Sequence, residues 1–93
     1  MKLKWSDRAQ RDLVEIDRFI ARDDRDAARR WIRLLRQRAR RVTQLPRAGR
    51  VVPEIGRPDV REVLFRGYRI VYLVGKNDII VLTVFEGRRL LRR

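Results

Sequence analysis

Apolar residues change their spacing once along this chain, and that change limits the folds open to it. Up to Val42 they recur every three or four positions, which is typical of amphipathic helices. From Val60 onward they alternate with polar residues or form short continuous runs, which is typical of strands. The sequence therefore predicts an α+β architecture, with a helical first half and a sheet-forming second half.

Two helices are predicted in the first half. One is expected at residues 7–21, with Ser6 as its N-cap, and the other at residues 24–45, capped by the aspartate at 23 or 24 and ended by Pro46. The short joint between them predicts an antiparallel hairpin. The apolar stripes that should face the sheet are Ala9, Leu13, Ile16 and Ile20 in the first helix, and Ala28, Ile32, Leu35, Ala39 and Val42 in the second.

Strands are predicted at "LKW", "REVLF", "YRIVYLV" and "IIVLTVFE". Tight turns are expected at Arg66-Gly67 and at "GKND", and the proline-rich stretch "PRAGRVVPEIGRPD" is expected to be an ordered connecting loop. The element order is then β-α-α-β-β-β, a helical hairpin packed on a small, mostly antiparallel sheet. Residues 1–93 are predicted to form a single domain.

The last predicted strand is apolar on both sides. Strict alternation puts Ile79, Val81 and Phe85 on one face of the sheet. The opposite face then receives Ile80, Leu82 and Val84. The helical hairpin can cover only one face, so the other is covered either by a loop or by a partner protein.

The distribution of charge points to an anionic partner. The formal net charge is +13, and residues 1–26 hold seven basic and seven acidic side chains. The whole excess therefore lies after residue 26, and residues 27–50 contain nine arginines and no acid. Such a surface attracts nucleic acid, an anionic membrane face or an acidic protein.

Several kinds of site are excluded by the residue types present. The chain has no histidine and no cysteine, so zinc sites and Ser-His-Asp or Cys-His constellations cannot form. The acids after residue 26 occur singly, which does not suit a two-metal nuclease, and no cofactor or metal is expected. No signal peptide and no apolar run of about 20 residues is found, which predicts a cytoplasmic protein that does not bind membranes.

Three motifs occur in order in the second half of the chain. They are "P-x-x-G-R" at residues 46–50, "R-E" at residues 61–62 and "Y-R-I-V-Y" at residues 68–72, and the last strand ends "VLTVFEGRRLL". Together with the helical hairpin, this pattern resembles the RelE/ParE family of toxins from bacterial type II toxin-antitoxin modules. The resemblance covers nearly the whole chain.

The resemblance implies a small cytoplasmic toxin that a cognate antitoxin neutralises, in a toxin-antitoxin hetero-oligomer. Two classes of activity occur in the family. ParE-like members inhibit DNA gyrase, and RelE-like members are metal-independent endoribonucleases that cut mRNA on the ribosome. Relatives with the ending seen in this chain often carry histidine at position 88, where this chain has arginine, and an arginine cannot act as a base. The gyrase inhibitor is therefore the favoured interpretation and mRNA cleavage the alternative.

The resemblance also implies which residues should form the binding sites. The target should contact Arg61, Arg69, Arg88 and Arg89. A nuclease would use Arg61, Tyr68, Arg69, Glu86 and Arg88. The antitoxin should contact Trp31, Leu35, Val71, Leu73, Leu82 and Val84.

The turn between the second and third predicted strands decides whether two of these arginines act together. A two-residue turn at Arg66-Gly67 sends Arg61 and Arg69 to opposite faces, whereas a three-residue turn puts both on one face. We favour one shared face, near Arg88, where a phosphate or carboxylate would bind. Arg69 should then face away from the helices, because an unpaired charge in the core costs several kcal/mol.

Overall fold

The computed structural model describes residues 1–87. Strand β1 (Lys2–Trp5) is followed by helices α1 (Asp7–Ala21) and α2 (Arg25–Val42). Four further strands complete the fold, β2 (Arg50–Val51), β3 (Val60–Phe65), β4 (Tyr68–Val74) and β5 (Asp78–Glu86). The predicted order is confirmed, and β2 is an additional short strand within the predicted connecting loop.

Capping residues set the ends of both helices. The Ser6 hydroxyl accepts a hydrogen bond from the Ala9 N–H at 3.0 Å, and the Asp24 carboxylate accepts one from the Ala27 N–H at 3.0 Å. Helix α2 ends at Val42, three residues earlier than predicted. Residues 43–45 instead form tighter turns, in which each N–H donates to the carbonyl three residues before it.

The five strands form one sheet in the order β1-β5-β4-β3-β2. Strand β1 runs parallel to β5, and the other neighbouring pairs are antiparallel. The helical hairpin covers one face, where the predicted stripes pack against the sheet. The buried core between the hairpin and the sheet consists of Ala9, Leu13, Leu35, Ala39, Val42, Val63, Ile70, Tyr72, Ile79, Val81 and Val84.

A bulge in β5 changes which residues face the helices. Val71 pairs with Thr83 but the next residue, Tyr72, pairs with Val81, so Leu82 is an extra residue in β5. After the bulge Val84 lies in the helix-covered core. The prediction that Val84 shares a face with Leu82 is therefore wrong.

The second face of the sheet is partly covered by the chain itself. Val52 and Ile55, from the segment between β2 and β3, pack against Val60 and Val71. Val71 is only 1% exposed as a result. Three side chains further along this face are half-buried, namely Leu73, Leu82 and Phe85.

The predicted two-residue turn joins β3 to β4. Arg66 and Gly67 both have positive φ angles, 48° and 88°, as a type I′ hairpin turn requires. A left-handed conformation is unfavourable for a residue with a side chain. The Arg66 guanidinium lies over two aromatic rings, 5.6 Å from the Trp31 ring centroid and 5.4 Å from that of Phe65.

No helix in residues 1–87 is long and apolar enough to cross a membrane. Nor does this part of the chain bring together three or more side chains of the types that bind metals.

Candidate target-binding site

Arg61 is held by backbone carbonyl groups. It lies half-buried on β3, and its Nε donates to the carbonyl oxygen of Pro58 at 2.9 Å. Its Nη1 donates to the carbonyl oxygens of Arg47 and Gly49 at 3.1 and 3.0 Å. The guanidinium therefore satisfies three carbonyl groups of the connecting segment, which no regular secondary structure would satisfy there.

Arg69 is buried and paired with two carboxylates. Only 4% of this β4 residue is exposed. Its Nε donates to Glu62 at 2.6 Å, and its two terminal nitrogens each donate to one oxygen of Glu54 at 2.8 Å. The hydrogen bonds to Glu54, followed by those to Glu62, raise the pKa of Arg69 above its already high ordinary value, while burial acts in the opposite direction. Arg69 is therefore always charged, and its charge is neutralised inside the protein.

A second arginine completes this arrangement. Arg50 Nε donates to the other carboxylate oxygen of Glu62 at 2.5 Å. The side chains of Arg50, Glu54, Glu62 and Arg69 thus form one chain of two positive and two negative groups, which we call the ion cluster. It connects β2, β3 and β4 to the segment that covers the second face of the sheet.

Arg61 and Arg69 point to opposite faces of the sheet, so the prediction that they share one face is wrong. Phe65 pairs directly with Tyr68 across the two-residue turn. In this register Arg61 lies opposite Tyr72, which belongs to the helix-covered core. The prediction that Arg69 faces away from the helices is confirmed, but partners within the chain occupy it. These two side chains cannot clamp one phosphate together.

The motif "P-x-x-G-R" is explained by close packing against β4. The Tyr72 hydroxyl donates to the carbonyl oxygen of Pro46 at 2.7 Å. A Cβ atom at Gly49 would overlap the Tyr72 hydroxyl oxygen and lie 2.7 Å from the carbonyl oxygen of Glu62. Arg50 follows at once and enters the ion cluster. The three motifs therefore meet in space and hold the connecting segment on the sheet.

Gly49→Ala should destabilise the protein by about 1–3 kcal/mol, because the added methyl group has no room. Tyr72→Phe alone should cost about 1 kcal/mol through the lost hydrogen bond. Urea denaturation of both single variants and the double variant checks this. The combined loss should be smaller than the sum of the single losses, because Tyr72→Phe removes the closest atom that the methyl group meets. Purely additive losses would contradict this packing.

Two further nuclease candidates, Tyr68 and Glu86, lie beside the turn of the β3–β4 hairpin. Tyr68 pairs with Glu86 across β4 and β5, and its ring packs edge-on against Trp31 at 5.9 Å. Burial, with a smaller contribution from the Glu86 charge, raises the pKa of the Tyr68 phenol. Tyr68 therefore stays protonated at neutral pH. Arg88 and Arg89 lie outside the described residues.

The six residues predicted to contact the antitoxin divide into two groups. Leu35, Val71 and Val84 are at most 2% exposed and have no surface for a partner in this conformation. Three others are half-buried and retain exposed area, namely Trp31, Leu73 and Leu82.

Sequence reasoning missed Arg50 and Glu54 as partners of the predicted residues. Its premise that the acids after residue 26 stand singly holds for the sequence but not for the fold, where Glu54 and Glu62 share Arg69. One signal was present. A β4 arginine between apolar neighbours needs an acidic partner if it is buried, and the "R-E" motif supplies one on the adjacent strand.

Comparison with known proteins decides the family. The family model described as ParE toxin of type II toxin-antitoxin system, parDE, matches residues 3–91. The chain belongs to the ParE toxin family. A solved structure titled "Chromosomal ParDE TA system from P. aeruginosa" is similar in fold, with a TM-score of 0.76 over 92% of this chain and 95% of that chain, at 24% sequence identity. In the comparison with curated proteins, nothing matches.

Family membership gives the ion cluster its context. The resemblance to RelE/ParE toxins rested on motif residues that lie in or beside the cluster, in particular Gly49, Arg50, Glu62 and Arg69. In this ParE toxin Glu62 and Arg69 are buried and bind each other, and Arg50 binds Glu62 from an exposed position. The ion cluster holds the irregular segment against the sheet.

Proposed function

We propose that this ParE toxin binds and inhibits DNA gyrase in the cytoplasm. One observation carries the proposal: Arg61 and Arg69 are each bound by other groups of the same chain. Three carbonyl oxygens hold the first, and two carboxylates hold the second on the opposite face. Cleavage of mRNA would need cationic groups free to stabilise a phosphate as its charge develops. This pairing favours an inhibitor that acts by binding, rather than a nuclease.

The titratable groups support the same proposal. The chain has no histidine, and Tyr68 has a raised pKa, so neither supplies a proton acceptor near neutral pH.

We further propose that a cognate antitoxin, encoded beside the toxin, neutralises it as a hetero-oligomer. The net charge of +13 favours an acidic partner chain that is attracted by charge and gains affinity from apolar contacts. Exposed area on Trp31, Leu73 and Leu82 offers such contacts. An acidic segment that folds on binding fits this combination.

Two assays after induction from a tight promoter test the proposed activity. Plasmid DNA isolated from the cells should lose negative supercoiling while mRNA stays intact. Purified toxin should inhibit gyrase supercoiling in vitro, and the product of the adjacent small open reading frame should restore it. Codon-positioned mRNA cuts with normal supercoiling would overturn the inhibitor proposal. If the product of the adjacent open reading frame does not restore gyrase supercoiling, the antitoxin proposal is wrong.

A further inference from the structure

The outward surface of α2 consists almost wholly of arginine. Between residues 27 and 42 every fully exposed position is arginine except one glutamine, and no acid occurs. The exposed side chains are Arg29, Arg30, Arg33, Arg36, Gln37, Arg40 and Arg41. The apolar residues of the same helix are buried or half-buried against α1 and the sheet. This surface, which we call the arginine face, is therefore cationic, and the apolar side chains beside it, Trp5, Val14 and Ile32, lie in the groove between α2 and α1.

The arginines form two rows along the helix. Arg29, Arg33, Arg36 and Arg40 follow one another at spacings of four, three and four residues, so they lie on one side and line the groove between α2 and α1. At about 1.5 Å per residue this row is about 16 Å long. Arg30 and Arg41 lie on the other side, beyond Gln37.

Nothing within the described chain neutralises the arginine face. Ion pairs occur elsewhere, for example Arg57–Asp59 at 2.7 Å and the ion cluster. None of the six arginines on the face has a carboxylate within ion-pair distance in residues 1–87. The Arg36 guanidinium lies over the Trp5 ring, 5.3 Å from its centroid. Like charges held this close repel one another unless an anionic ligand binds.

We propose that the arginine face binds the phosphate backbone of duplex DNA, without sequence preference. Phosphate is bound by arginine in a bidentate manner and requires no apolar anchor. An acidic peptide would gain its affinity from buried apolar side chains, which only the row beside the groove can offer, whereas both rows of arginines can contact phosphates. The proposal goes beyond gyrase inhibition and concerns contact between the toxin itself and DNA.

Features of the helix favour duplex DNA over RNA or single strands. The B-form major groove is about 12 Å wide and admits a helix, with phosphates along both edges for two rows of arginines. The major groove of an RNA duplex is too narrow. Single strands are bound by aromatic side chains that stack on bases. Of the two tryptophans near the face, Trp31 packs against Phe65 and Tyr68, and the Trp5 ring lies under the Arg36 guanidinium.

The proposal is tested by measuring the affinity of the purified toxin for a fluorescent DNA duplex at several salt concentrations. The duplex has a mixed sequence and spans about two helical turns. Six phosphate contacts predict a slope of about −5 for log affinity against log salt, or about a thousandfold weakening between 50 and 200 mM KCl. Replacing Arg29, Arg33, Arg36 and Arg40 with glutamine should reduce the slope to about −2, and the weakening to about tenfold.

A variant with the same change in net charge serves as the control. Arg8, Arg11, Arg18 and Arg22 are exposed on α1 and are likewise replaced with glutamine. This variant should keep a slope within about one unit of the wild type. Equal losses in both variants, or no loss in the α2 variant, would overturn the proposal. Circular dichroism verifies that both variants fold.

Labelled duplex RNA and labelled poly-L-glutamate complete the test under the same conditions. Both should bind the toxin at least tenfold more weakly than duplex DNA does. If poly-L-glutamate binds as tightly and depends on the same four arginines, the face is a site for acidic protein and the DNA proposal is wrong. Because gyrase is absent from these assays, their result is independent of the proposed inhibition.

Discussion

Replacing Glu62 with alanine should lower the free energy of unfolding by about 3–5 kcal/mol, which is the usual cost of removing one partner from a buried ion pair. Glu62 is 1% exposed and accepts hydrogen bonds from Arg69 and Arg50 through its two oxygens. Without it, Arg69 stays charged at 4% exposure with Glu54 as its remaining carboxylate in the cluster. This unbalanced buried charge then destabilises the folded state.

A triple variant separates the charge effect from the loss of packing. In Glu54→Gln/Glu62→Leu/Arg69→Met the guanidinium and both carboxylates that it binds are gone, and side chains of similar size take their place. This variant should be more stable than Glu62→Leu alone. Glu15→Ala, at an exposed position on α1, is the matched control and should change stability by less than about 0.5 kcal/mol. Urea denaturation provides the measurement. A loss below about 1 kcal/mol for Glu62→Ala would mean that solvent reaches the ion cluster.

The helices were predictable because their signals are local. Ser6 and the aspartate at 24 cap the two helices, as the residue types suggested. The stripe residues Leu13 and Leu35 both lie in the core, as their spacing indicated. Caps and stripes involve residues at most a few positions apart, so the sequence contains the whole signal.

The sheet was predictable in order but not in register. A bulge depends on how two strands fit together, and strict alternation in β5 gave no sign of the extra residue Leu82. Its consequence is large, because Val84 moves to the helix-covered face. Coverage of the second face by Val52 and Ile55 also required the path of an irregular segment, which residue type alone does not determine.

Burial and pairing of the site residues decide their role, and both are long-range properties. Arg69 lies seven residues from Glu62 and 15 from Glu54 in sequence, yet it binds both. The physical argument against an unpaired buried charge was sound. It gave the correct face for Arg69, but it did not consider that two glutamates bury and neutralise the side chain there.

The ion cluster and the arginine face illustrate two uses of arginine in one small toxin. Arg50 and Arg69 have carboxylate partners and hold an irregular segment against the sheet. The α2 arginines have no acidic partner within the described residues and stand at spacings that repeat along a helix. A composition with 22 arginines does not distinguish these uses, whereas the position of each side chain relative to the acids does.

Leu35→Ala should destabilise the toxin by about 2–5 kcal/mol. Leu35 is fully buried in the core between α2 and the sheet, so its removal leaves a cavity as well as losing apolar contacts. Leu13→Ala, on α1, should fall in the same range, because this side chain is only 3% exposed. Both variants are compared with the wild type by urea denaturation.

Leu64→Ala is the matched control for these core variants. It makes the same chemical change on β3, but Leu64 is 57% exposed, so the substitution should cost less than about 0.5 kcal/mol. The difference between Leu35→Ala and Leu64→Ala therefore isolates the effect of burial from that of residue type. Equal losses at the two positions would mean that the apolar stripe of α2 does not face the sheet. The arginines opposite that stripe would then not be the outward surface on which DNA binding is proposed.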